Sequence, residues 1–170
     1  EPGVAAHGFA NGAGDAVGNK LTINGGTVTD GDVQYDDISY QIAELGATGG
    51  FSRSGNASYN EVKITNGTVN GSYPTVYGGL ALDGDSIGNT VTVDGVSTDG
   101  SLYIYGGASF SGGTASGNTV TFRQGTAVAV FGGNSDITGS SESAGGVSGN
   151  TVNISGGTVY EVDGGVSIKE

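Results

Sequence analysis

The chain has 170 residues, of which 36 are Gly and only 2 are Pro, and it contains no Cys, Met or Trp. Five Lys plus Arg against 17 Asp plus Glu give a formal net charge of −12. The length suffices for one domain with a core. The composition excludes collagen, a Pro-rich linker, a disulfide scaffold and a thiolate metal site, and the acidity argues against nucleic acid or an anionic membrane as partner, because phosphate binding needs a basic face.

The apolar residues come in short Val, Ile, Leu and Ala runs, separated by Gly, Asn, Asp and Ser. No stretch holds a helical apolar period without a Gly, so the chain reads as all-β with tight turns. No apolar run approaches the ~20 residues of a membrane helix, and no signal-peptide core is visible. A chain with no Met that opens Glu1-Pro2-Gly3 is expected to be a processed or excised piece.

In chain order, a partial copy (residues 1–18) precedes five copies of one pattern, starting near 19, 60, 89, 118 and 150. Each copy opens with Asn, with apolar residues at its third and fifth places: Asn19-Lys-Leu-Thr-Ile, Asn60-Glu-Val-Lys-Ile, Asn89-Thr-Val-Thr-Val, Asn118-Thr-Val-Thr-Phe and Asn150-Thr-Val-Asn-Ile. The copies lie 41, 29, 29 and 32 residues apart. Each continues through a Gly and a short β run to a Gly-Gly pair, at Gly49, Gly78, Gly106, Gly132 and Gly164. A period of this length with several short runs per copy signals stacked coils, and a propeller blade would need longer antiparallel strands. The sequence therefore predicts one domain over 1–170, a right-handed parallel β-helix (β-solenoid) of about five three-sided coils.

Alternation then assigns the side chains. Leu21, Val62, Val91, Val120 and Val152 form one interior column, and Ile23, Ile64, Val93, Phe122 and Ile154 form the next. Each coil buries its apolar residues only against its neighbours. The Asn residues share the inward parity and are expected to form an amide ladder at a corner. Gly supplies the positive-φ corners. Two segments are longer than their counterparts: an acidic insertion over 29–47 and a Ser/Gly-rich loop over 134–149. Loops leaving a rigid coil are where solenoids place function.

"GNTVTV" (Gly88 to Val93), "GNTVTF" (Gly117 to Phe122) and "GNTVNISGGTV" (Gly149 to Val159), with "VYGG" (Val76 to Gly79) and "IYGG" (Ile104 to Gly107), resemble repeats in the passenger regions of large bacterial autotransporter adhesins. The resemblance covers almost the whole chain. It implies a secreted β-helix at the bacterial cell surface, outside the outer membrane, working in adhesion or display. Its partner would be a host or bacterial surface protein or a glycan, without a cofactor and without inserting into the membrane itself. No membrane barrel is present, so the chain would be a passenger fragment. The Asn60 copy departs from the pattern with Glu61 and Lys63.

The candidate binding residues are the aromatic column Tyr77, Tyr105 and Phe131, together with Tyr35, Tyr40, Asp36 and Asp37 of the acidic insertion. If Val76, Ile104 and Val130 point inward, the column faces outward and offers flat rings to sugar or protein. The competing arrangement puts the rings inside, filling space left by the glycines. Asp30, Asp32, Asp36, Asp37 and Glu44 lack the spacing of a Ca²⁺ loop, so no metal is assigned. His7 has no partners for a catalytic triad, and no Gly turn is followed by the Lys-Ser/Thr of a phosphate loop. The chain is thus expected not to be an enzyme. A polysaccharide lyase is the catalytic alternative, with Arg53 and Lys63 as its only plausible basic set. Ice binding is the second alternative, carried by the outward Thr90, Thr92, Thr119 and Thr121. Neither end carries a helical or polar cap, which predicts further coils or end-to-end pairing between copies.

Overall fold

The structure, a computed structural model, describes residues 6–10, 14–29, 45–135 and 145–167. It is all-β, with parallel strands stacked as a β-solenoid. The first face is built of two-residue strands, Ala16–Val17, Ala57–Ser58, Ser86–Ile87, Ala115–Ser116 and Val147–Ser148. The second carries the Asn-led strands, Lys20–Asn24, Glu61–Asn70, Thr90–Ser97, the first part of Thr119–Ser135, and Thr151–Ile154. The third carries Ala6–Ala10, Leu45–Ser52, Thr75–Ala81, Tyr103–Ser109, the last part of Thr119–Ser135, and Thr158–Asp163. Thr119–Ser135 runs unbroken around a corner, so the second and third faces form one 12-stranded sheet. The stack amounts to about 4 turns, slightly fewer than the five coils expected, because the five strands of the first face are joined by only four turns of chain.

Register follows the repeat. Val91 pairs with Val62 and with Val120, and Val93 pairs with Ile64 and with Phe122. On the third face Ala47, Val76, Ile104, Val130 and Val162 align. These columns meet in one core, where Val62, Ile64, Val91, Val93, Ile104, Val120 and Phe122 are fully buried. In the last coil the columns emerge: Ile154 is 40% exposed and Val162 47%.

The expected amide ladder is present. From Asn60 onward, each Asn Oδ1 accepts two hydrogen bonds from the preceding Asn, one from its backbone N–H and one from its amide, at 2.9–3.0 Å. The other amide hydrogen goes to a first-face carbonyl one coil back, as from Asn89 to Ala57 O at 2.9 Å and from Asn118 to Ser86 O at 3.0 Å. Asn60, Asn89 and Asn118 are buried, so their polar groups need these partners.

The glycines divide into two sets. Gly18, Gly88, Gly117 and Gly149, each just before a ladder Asn, hold positive φ and turn the corner. The Gly-Gly pairs do not turn: those at 49, 78, 106 and 132 lie inside third-face strands. A β-carbon on the second glycine of each pair would run into the Asn carboxamide of the ladder, and one on the first would run into the glycine carbonyl of the next coil. A parallel Ser column closes the next corner, where Ser52, Ser109 and Ser135 donate to the carbonyls of Gly14, Gly84 and Gly113 at 2.7–2.8 Å.

The flanks of the two long segments lie in strands. Thr29 still belongs to a strand on the second face, and Leu45 to Ala47 open the next strand of the third. Asn134 and Ser135 complete the long strand, and Val147–Ser148 form the last strand of the first face.

Candidate functional site

Tyr77, Tyr105 and Phe131 sit in register and stack, with centroids 4.8 and 5.1 Å apart and planes 13° and 22° from parallel. Alternation puts them on the side of the strands opposite Val76, Ile104 and Val130. Tyr77 belongs to a second cluster with Phe51, Leu80, Leu82 and Ala108, separate from the core, with Tyr105 packed against it and Phe131 stacked on Tyr105. So the rings are not in the interior of the solenoid. Nor is the column open, since Tyr77 and Phe131 are only 7% and 8% exposed. Burial raises the Tyr77 phenol and pushes Tyr105 up to about 12, with Tyr103 and Glu161 adding to the latter, so both stay neutral. The column works as packing, each stacked pair contributing about 0.5–1.5 kcal/mol beyond its buried area.

The outer side of the second face presents hydroxyl columns. Thr90, Thr119 and Thr151 align, as do Thr92 and Thr121, with Asn153 above them. Below, the columns meet Glu61 and Lys63. Glu61 pairs with Lys20 of the coil beneath at 3.1 Å, which accounts for its departure from the repeat. The pair is exposed and stabilises by no more than about 1 kcal/mol. Arg123 reaches Asp94 at 3.8 Å on the same face.

The corner between the first and second faces holds a residue that the repeat did not single out. Gly18, Gly88, Gly117 and Gly149 occupy that corner in four coils, with φ between 63° and 68°, and Tyr59 occupies it in the remaining one, with φ 56°. A bulky L-residue in this region costs about 1–2 kcal/mol relative to glycine. The backbone is held there by Tyr59 N–H donating to Ile87 O at 2.9 Å. One edge of the ring rests on Gly88: a β-carbon added there would meet Cε1 at 2.7 Å and Cδ1 at 2.8 Å. Yet Tyr59 is 67% exposed. Val17, itself 56% exposed, and Ile87 align with Ser58 on either side of it, immediately before the corner. The sequence signal was the lone non-glycine before a ladder Asn.

Of the other predicted residues, Tyr35, Tyr40, Asp36 and Asp37 lie outside the described residues, as do Asp30, Asp32 and Glu44. Arg53 and Lys63 are not brought together. Arg53 follows the third-face strand Leu45–Ser52, whereas Lys63 stands on the exposed side of the second face. His7 aligns with Thr48 on the third face. Among the described residues, no three His, Asp or Glu gather as a metal site. A shallow concavity of about 190 Å³ lies at the last coil, lined by Val147, Ser148, Gly149, Asn150, Gly164 and Gly165.

The fold is that of a parallel β-solenoid. Comparison with known protein families, with curated proteins and with solved structures finds no match to this chain.

Proposed function

We propose that the chain is a non-catalytic display and adhesion module at a bacterial cell surface, of the autotransporter-passenger kind, binding a host or bacterial surface protein or a glycan. The observation that carries this reading is the amide ladder with its glycine bed. Side chains and hydrogen bonds close the interior from coil to coil, and the pattern extends by repetition. Such a stack is a stiff rod whose working surface is its outside. The repeat motifs support the passenger assignment, and the coil-to-coil differences in length supply places for display.

The test is adhesion. Beads coated with the 170-residue chain are expected to adhere to epithelial or bacterial cells, and bovine serum albumin beads are not. Failure to adhere, together with turnover of an acidic polysaccharide lost on Arg53→Ala, would replace this reading with the lyase. End-to-end pairing of copies belongs to the same proposal, as the alternative to further coils over Ile154 and Val162. Concentration-dependent light scattering, reduced by Ile154→Lys, is its expected signature, and a strict monomer removes it.

A further inference from the structure

We infer that Tyr59 is the platform of a carbohydrate-binding site on the corner between the first and second faces, and that its ligand is a neutral hexopyranose oligosaccharide. The inference deepens the adhesive reading by naming the class of ligand, and it rests on that reading.

Four observations converge on this corner. The ring is large, apolar and 67% exposed, where four other coils carry glycine. It is held rather than loose: its backbone is pinned to Ile87 O, and its Cδ1–Cε1 edge lies against Gly88. Apolar surface continues beside it through Val17, 56% exposed, and Ile87. Polar groups border it on the other side. The Lys20–Glu61 ion pair and Thr90, which aligns with Glu61, lie two residues beyond the corner in their own coils.

A pyranose matches that arrangement. Its C–H face stacks on an aromatic ring, and its hydroxyls at the rim meet carboxylate, ammonium and hydroxyl partners. The net charge of −12 disfavours acidic sugars, which selects a neutral one. A protein partner would require a broader desolvated patch than one ring with two aliphatic neighbours.

The strained position makes the test clean, because residues that suit the corner better remove the ring. The chain is applied to an array of neutral gluco-, galacto- and manno-oligosaccharides beside sialylated and sulfated ones, and the tightest hit is titrated by calorimetry. Binding to neutral oligosaccharides is expected. Tyr59→Gly and Tyr59→Asn both accept positive φ, so each is expected to keep a cooperative melt. Each is expected to weaken the hit about tenfold or more, the equivalent of one lost stacking contact. Tyr59→Phe keeps the ring and is expected to bind within about threefold of the parent. No binding to neutral sugars, or equal binding by the folded Gly and Asn variants, overturns the inference. Adhesion to deglycosylated cells would overturn it while leaving the adhesive reading standing, and absence of adhesion to any cell would end both.

Discussion

Gly79 lies directly against the carboxamide of Asn89, so that a β-carbon on Gly79 would stand 2.5 Å from Asn89 Cγ and Nδ2. The same contact recurs between Gly107 and Asn118. Gly79→Ala must therefore displace a buried side chain that accepts from Asn60 and donates to Asn118. The expected loss is about 3 kcal/mol, at the upper end of overpacking costs. Gly18→Ala meets nothing within 4 Å and loses only through its φ of +68°, about 1–2 kcal/mol. Urea denaturation of the two variants measures the difference. Equal losses would mean that the Gly-Gly pair is not shaped by the ladder.

Asn118→Ala removes the acceptor of the Asn89 N–H and amide and the donor to Ser86 O. Several buried groups are orphaned at once, and the expected cost is about 3 kcal/mol or more. Asn19→Ala, at the end of the ladder, deletes one amide donor to Asn60 Oδ1 in a partly buried site and keeps the backbone N–H donor. There the expected cost is about 1 kcal/mol. Thermal melts that rank the two in the opposite order would contradict the ladder's role.

Tyr105 makes stability depend on alkaline pH. Its folded pKa is pushed up to about 12 from an unfolded value of 10.0, so above pH 10 the unfolded chain releases a proton that the folded chain keeps. The contribution of this group is fully present below pH 10 and is lost as the pH rises towards 12. Tyr105→Phe is expected to flatten the fall in melting temperature over that window, with the remainder due to Tyr77, whose shift has the same sign. Ultraviolet titration of tyrosinate in the folded protein follows the groups directly.

The outward Thr columns span Thr90, Thr119 and Thr151 before meeting the charged Lys20–Glu61 pair. A hydroxyl lattice this short and interrupted is expected to give no thermal hysteresis. Hysteresis present in the parent chain and lost in Thr121→Tyr would show that the face does more than suit an exposed strand.

Much of the architecture was legible because side chains in a parallel stack repeat vertically. Asn at the head of each copy, with apolar residues at its third and fifth places, set the register of Val62, Val91 and Val120 and the amide ladder. The role of the Gly-Gly pairs was hidden. It depends on a contact across the coil between residues about ten positions apart, which no local pattern expresses. The aromatic column was half legible: alternation told which side of the strand Tyr77 takes, and only packing told that this side is closed. Tyr59 stood in plain view before Asn60, but its meaning required the φ of +56° and the exposed ring.

The sequence by itself determined the stacked parallel coils, because aliphatic residues recurring at this period find apolar neighbours only in the turns above and below. The tertiary structure decided which surfaces remain open. It buried Tyr77 and Phe131, half-buried Tyr105 between them and left Tyr59 in solvent, since exposure is set by what the rest of the chain covers rather than by the alternation of any one strand.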